Sequence, residues 1–547
     1  MAYDSTPTQL TIWLAVISAG LIGTIYFYLT RNHKYWQKRG VPGPQPWPFF
    51  GTYLKQFFVP FLETEMQWHH RWRPQFDQTN YGERFSYFYE PSPIGEEWKR
   101  VRSIVTPTFT SSKMKNLFHI MKNSSNDMLE KLGKVAAEEN GEIDLKKLYG
   151  GYTMNVIAKC AFATEADSEF ENNATQLFTF PFWRKFLDYT VPMWWLDSIK
   201  FTVLPQGAMD FFRSITVGLI NQRVSTNQQH TEHYHDFLEL LMNAKRLGSG
   251  EISKSIKDID DASFRKETDD EKTLNQNALT DTTTYDGKKK LDENEILAQC
   301  VLFFSVGFET SSQLLAYCTY CLALNPDCQE TLHDEIVETI NSNQGELNYN
   351  MVPKMIYLDA IISETLRLYN PVLRMERQAS ENYTLGSTGI TIEKGMIVGI
   401  PVWALHHDPQ YYPEPDLFKP ERFLAGNRER LVPYTYLPFG TGPRNCIGAR
   451  FALLETKIAL IKVVSKYRFV ESKTTKIPLR FLPVGRPLLR CEHIAIGVKK
   501  SLNSVALRIN KKNKSSSKAN QALGPFLVLG AIVLHLLVQE LLVIPKI

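Results

Sequence analysis

Cysteine is scarce in this sequence: seven residues in 547, an odd number without a repeated spacing. That excludes a disulfide scaffold and suits a chain whose thiols stay reduced. An excess of one charge is also lacking, because 62 Lys and Arg stand against 58 Asp and Glu for a formal net charge of +4. Nothing here resembles the concentrated basic face that a nucleic-acid partner requires. No Gly/Ser or Pro linker divides the chain in the middle, and no internal repeat of fixed period is present. No Gly-x-Gly-x-x-Gly fingerprint precedes a helix, which excludes a built-in flavin or nicotinamide domain. What is there is 43% hydrophobic and 22% charged, a balance that predicts a globular core large enough to enclose a cofactor.

The ends carry the membrane signals. Residues 1–9 form a short leader, and 10–29 contain no formal charge. Twenty residues at about 1.5 Å each reach about 30 Å, one hydrocarbon thickness. Arg31, Lys34, Lys38 and Arg39 follow on one side only, so the leader is expected in the lumen and the following domain in the cytosol. A basic, Pro-rich hinge over 30–50 includes Pro42, Pro44 and Pro46, which stop helix continuation and stiffen the connection. Beyond the main region, 497–521 form a basic, Ser-rich tail. Residues 522–544 are apolar but interrupted by Pro525, His535, Gln539 and Glu540. They read equally as a second anchor, a surface helix or an aberrant segment.

Between these ends, 51–496 read as one catalytic domain, mainly α with a small β portion. Residues 100–245 show mostly helical spacing, and 248–290 form a polar loop with the run Lys288 to Lys290. Asp292 with Glu295 predicts a capping box that starts a helix of roughly thirty residues, stopped by Asn325-Pro326. Its middle holds Val306-Gly307-Phe308-Glu309-Thr310-Ser311. A hydroxyl there can bond a preceding carbonyl and open a groove in the helix. Short strands are expected at Thr391-Ile392 and 397–400. Cys318 and Cys321, at i and i+3, read as core residues because no second pair with zinc spacing accompanies them.

The most informative stretch is Phe439-Gly440-Thr441-Gly442-Pro443-Arg444-Asn445-Cys446-Ile447-Gly448. Glycines on both sides let backbone approach a flat group, backbone N–H groups aimed at sulfur stabilise its anion, and Arg444 adds a nearby cation. A helix is expected from Ala449 to Val464. The loop resembles the haem-binding motif of the cytochrome P450 family, whose fixed Phe, Gly, Arg, Cys and Gly fall on Phe439, Gly442, Arg444, Cys446 and Gly448. Five such matches arise by accident in on the order of one chain in several thousand.

Other matches follow in family order. Glu364 and Arg367 would by themselves be an ordinary i,i+3 pair, expected roughly once by chance in such a chain. With Arg422 of Pro420-Glu421-Arg422-Phe423 they resemble the family's buried structural network. The 306–311 stretch resembles the oxygen-activation motif, which implies a proton relay through Thr310 and Glu309, with Val306 where the family usually has Ala or Gly. Trp98 and Arg102, one turn apart, together with Arg377 and Arg444, are implied contacts of the haem propionates. Cys446 is the implied axial ligand of the haem iron.

Resemblance is strongest to microsomal family-3 members, although the chain is shorter than that pattern between Gly51 and Trp98 and its C-terminus is atypical. It implies the triangular α-helical fold of the family, haem b (iron protoporphyrin IX) as cofactor, and insertion of one oxygen atom from O2 into a lipophilic substrate: xenobiotic, steroid or fatty-acid-like. Electrons from NADPH would arrive through NADPH-cytochrome P450 reductase docked on Lys99, Lys113, Lys115 and Lys457, with cytochrome b5 a further candidate partner. The implied place is the endoplasmic reticulum membrane, catalytic domain on the cytosolic face. Two other readings stay open: a reductase-independent lipid-peroxide isomerase, and a non-catalytic membrane haem protein.

Overall fold

A computed structural model describes residues 7–41, 43–47, 93–138, 141–166, 168–176, 205–228, 236–244, 291–386, 389–481 and 493–500, with a few isolated positions between them. The polar loop 248–290, nearly all of the shortened region before Trp98, Pro42, and everything beyond 500 lie outside the described residues. The second apolar run at 522–544 is therefore not described.

The chain opens with α1 (Pro7–Thr30), whose stretch Thr11–Tyr28 is long and apolar enough to cross a membrane. Its large side chains, Ile17 and Leu21 among them, are exposed around the whole helix. That arrangement suits hydrocarbon rather than water. The short α2 (Tyr35–Lys38) follows. The Tyr35 hydroxyl donates to Glu393, and Arg39 pairs with the same carboxylate at 3.0 Å, tying this segment to the main body.

Next come α3 (Pro93–Val105), α4 (Ser111–Val135), strand β1 (Glu142–Asp144), α5 (Leu145–Phe162), α6 (Ser168–Gln176), α7 (Gln206–Gln228) and α8 (Phe237–Ala244). The central helix is α9 (Glu293–Leu324), and its capping box is present as expected, with Asp292 and Glu295 each bonding the other's backbone. These bonds satisfy two N–H groups that a helix start otherwise leaves orphaned.

Packing of α9 against α5 is close because Gly307 is small: a Cβ there would lie 2.2 Å from Ile157 Cδ1. Thr153 Oγ1 donates to the Phe308 carbonyl at 3.2 Å, the Tyr149 and Thr319 hydroxyls are 2.6 Å apart, and Phe162 stacks on Phe304 at 4.1 Å. Cys318 and Cys321 are buried in this helix, as core residues.

After α9 come α10 (Pro326–Ser342), α11 (Ile356–Leu368), strands β2 (Met375–Gln378), β3 (Tyr383–Leu385), β4 (Ile390–Ile392) and β5 (Ile397–Ile400), the short α12 (Val402–His406), α13 (Ala449–Val464), β6 (Tyr467–Val470) and β7 (Ala495–Lys500). Helix α11 has no side-chain cap of its own. Glu335 of α10 supplies one, accepting from the Tyr357 and Leu358 amides at 2.7 and 2.8 Å, where the positive end of the helix favours an anion.

The strands pair as β1-β7-β6, β2-β5 and β3-β4, all antiparallel. Helix α13 is buried on nearly every side, with Leu454, Ile458, Ala459, Leu460 and Ile461 fully enclosed. The result is the mainly α architecture with a small β portion expected from the sequence.

Candidate active site

The ten residues before α13 form a tight loop. Gly440 and Gly442 adopt φ of +72° and +73°, a region an L side chain rarely enters, and a Cβ on Gly440 would come within 3.0 Å of Met375 Sδ. Cys446 N–H closes the loop onto the Phe439 carbonyl at 2.8 Å. Gly448 is the N-cap of α13, and a Cβ there would meet nothing nearer than Phe109 Cε1 at 4.0 Å. Its side of the loop is open.

Cys446 combines two properties. It is solvent-accessible, unlike the buried Cys160, Cys300, Cys318, Cys321 and Cys491. Yet surrounding protein desolvates it enough to push its thiol pKa up, against the opposing effects of the Gly448 N–H and the Arg102 guanidinium. A side chain with both properties stands at the floor of a recess.

Cations converge on the same place. Arg102 donates to the Asn445 carbonyl at 3.0 Å and to Asn445 Oδ1 at 2.9 Å. The Arg444 guanidinium lies 3.7 Å from the Trp98 ring centroid. Desolvation lowers the Arg102 pKa to about 10, with Cys446 opposing the shift and Arg444 adding to it. Arg377 is lowered by desolvation and then by Arg444. Among the described residues neither Arg102 nor Arg377 has an ion-pair partner. Partly desolvated cations held near one another are costly unless an anion joins them.

On α9, residues 309, 310 and 311 point three ways, as successive residues about 100° apart on a helix must. Thr310 Oγ1 donates to the Val306 carbonyl at 2.8 Å, on the stripe where Leu302 and Val306 are about half exposed, at 52% and 47%. Exposed apolar groups in mid-helix mark the wall of a recess. Glu309 is buried, accepting from Gln313 at 2.8 Å and lying 3.7 Å from Lys146 of α5. Ser311 is buried as well.

The structure brings Glu364, Arg367 and Arg422 together. Arg367 donates twice to Glu364, both bonds 2.8 Å and both side chains fully buried, while Arg422 Nε lies 3.4 Å from the same carboxylate. Arg367 also donates to the His406 carbonyl at 2.9 Å. His406 Nε2 accepts the Leu437 amide at 2.9 Å, two residues before Phe439. The network therefore reaches the cysteine loop through His406, a link no spacing in the sequence indicates.

One expectation is corrected. Lys457 is not a docking cation: it is buried, 2% exposed, and its ammonium pairs with Asp359 at 2.8 Å, with Arg428 on the same carboxylate at 3.0 Å. Helix α13 is enclosed by its neighbours, so a charge on it is consumed internally. Lys115 remains exposed, and Lys99 and Lys113 are half-buried. Asn445 and Lys146 were also missed; Asn445 sits inside the decapeptide itself, but its bonding depends on α3. A separate, partly open pocket is lined by Phe109, Phe237, Phe303 and Phe451. None of residues 439–448 lines it, so it is not this site.

A mainly helical fold with a glycine-lined, accessible cysteine ahead of a buried helix defines the class of haem-thiolate proteins. Known proteins narrow this. The family profile described as Cytochrome P450 matches residues 74–490. Cytochrome P450 3A15 of Cavia porcellus is 33% identical over 497 residues, spanning 83% of this chain and 90% of that protein. Cytochrome P450 3A11 of Mus musculus is 33% identical over 504 residues, with 84% and 92% covered. Cytochrome P450 3A1 of Rattus norvegicus is 32% identical over 522 residues, with 87% and 95% covered. The chain belongs to the cytochrome P450 family; it is a haem-dependent monooxygenase, and haem b is its cofactor.

Proposed function

We propose that Cys446 is the axial ligand of the haem iron and that the site oxidises a lipophilic substrate of xenobiotic, steroid or fatty-acid type. The observation that carries this reading is the accessible yet desolvated Cys446, with the Gly448 N–H toward its sulfur and Arg102 beside it. Haem, when bound, supplies binding and activation of dioxygen at its iron.

The chain's residues do the rest. Gly440 and Gly442 keep the loop tight, Phe439 anchors it through its carbonyl, and the open side at Gly448 admits a flat ring. Arg102, Arg377 and Arg444, with Trp98, hold the propionates, whose negative charge relieves the crowding of cations. Thr310 holds a proton on the recess side of α9 and Glu309 supplies it. Glu364, Arg367 and Arg422 brace the loop from behind.

Electrons come from NADPH through a separate membrane reductase, docked at Lys99, Lys113 and Lys115; cytochrome b5 is a second donor. Helix α1 anchors the chain in the endoplasmic reticulum membrane with the catalytic domain in the cytosol, which the cations after α1 support. The test is the reduced carbon-monoxide spectrum of the full chain, followed by NADPH-dependent product with added reductase. A thiolate-haem band lost in Cys446→Ala is the expected result; an unchanged band in that variant would end the proposal.

A further inference from the structure

Helix α3 is fastened on two opposite faces. Trp98 and Arg102, four positions apart, share the face that meets the cysteine loop through Arg444 and Asn445. Arg100 is two positions from each, about half a turn round the helix, and so points the other way. It reaches the start of α9, where its guanidinium forms a two-pronged ion pair with Glu295; the two side chains are 14% and 26% exposed. One carboxylate thereby serves two structures. Glu295 Oε2 accepts the Asp292 amide at 2.9 Å in the capping box and lies 3.4 Å from Arg100 Nη1, while Oε1 accepts from Arg100 Nη2. Capping needs only a Glu or Gln at this position, whereas pairing with Arg100 needs the charge.

We propose that Glu295 is a positioning residue for the haem edge: acting through Arg100, it sets the rotation of α3 about its own axis and so the aim of Trp98 and Arg102. The inference rests on the reading of Trp98 and Arg102 as propionate contacts given above. A helix held along one face can roll about that seam, and a second fastening on the opposite face removes the roll. An arginine fork on a carboxylate suits this task, because two donors in a fixed plane define direction as well as distance. Partial burial strengthens the pair over an exposed one, since water screens it less. Glu295 also stands in the first turn of the helix that carries Leu302, Val306 and Thr310, so the propionate side and the recess wall are tied to each other.

The experiment compares Arg100→Met, Arg100→Lys, Glu295→Gln, Asp292→Ala and the double variant Arg100→Met/Glu295→Gln in the full haem-loaded chain, by the rate at which haem passes to excess apomyoglobin. Glu295→Gln keeps the cap and drops the charge. Asp292→Ala drops the cap side chain and keeps the pair. Haem release from Arg100→Met is expected to be about tenfold faster than from the parent, the lower end of what losing an outer partner of a metal site costs. Glu295→Gln should move the same way by several-fold, and Arg100→Lys, which keeps the charge, should recover most of the loss. The double variant should be no worse than Arg100→Met, and Asp292→Ala should release haem at the parental rate even where its urea midpoint falls.

A second readout separates aim from general loosening. Resonance Raman spectra of the resting ferric protein report hydrogen bonding at the propionates through their bending band, which should shift in Arg100→Met and Glu295→Gln and stay in place in Asp292→Ala. Parental haem release and an unmoved band in both pair variants overturn the proposal, as do additive losses in the double variant or an Asp292→Ala change equal to that of Glu295→Gln. Arg102→Met serves as the reference. If it shifts the band while the pair variants do not, only this inference falls; if it is also silent, the propionate reading falls with it.

Discussion

Arg102 and Asn445, 343 positions apart in the chain, are joined by two hydrogen bonds from one guanidinium nitrogen, at 3.0 Å to the Asn445 carbonyl and 2.9 Å to its side-chain oxygen. This contact fastens α3 to the residue just before Cys446. A hydrogen bond from a charged donor is worth about 1.5–3 kcal/mol. Arg102→Lys keeps the charge but loses the planar fork, so haem content of the purified chain should drop several-fold. Asn445→Ala removes one bond of the two and should cost less. Equal haem content in all three proteins would show that the clamp does not shape the site.

Haem loading should release a proton and strengthen as pH rises. Burial raises the Cys446 pKa, so the free chain holds a thiol, whereas a metal binds the thiolate. Protons therefore compete with iron below the raised pKa, and lowering pH weakens binding. Haem titration in weakly buffered solution, with pH recorded, checks the sign; proton uptake, or loading without proton release, contradicts it.

The Glu364–Arg367 pair is fully buried, so removing one partner strands a charge. Arg367→Met should destabilise the chain by about 3–5 kcal/mol in urea unfolding. The double change Glu364→Leu/Arg367→Met should recover part of that loss, because neither charge is then left alone. A single variant with parental stability would show that the network is dispensable.

His406 and His407 make the fold acid-sensitive. Burial is the largest cause in both, holding His406 well below its ordinary value and His407 at about 4. In the unfolded chain both protonate below about 6.5, so the unfolded state binds more protons there and stability falls as pH drops. The slope is about 1.4 kcal/mol per pH unit for each histidine. For His407 it ends near pH 4, where the folded state protonates too. Unfolding melts between pH 7.5 and 5 in His406→Gln/His407→Gln should be flatter than in the parent.

Asn123, Asn173 and Asn382 stand in Asn-x-Ser/Thr sequons, and their side chains are reachable at the surface or near it. A cytosolic domain leaves all three unmodified. Expression in a microsomal system followed by glycosidase digestion should give no mobility shift; a shift would reverse the orientation proposed for the domain.

What the sequence determined by itself was local. The capping box at Asp292 and Glu295, the span of α13, the strands near 391 and 397, and the glycine-flanked Cys446 all depend on residues within a few positions of one another, which spacing and backbone preference report directly. Tertiary structure decided the rest. Whether Lys457 faces solvent or Asp359, whether Glu309 sides with Thr310 or with Lys146, and how His406 joins Arg367 to the cysteine loop depend on which helices meet. Burial changes what a charge costs, and burial is a property of the packed chain that no spacing along it records.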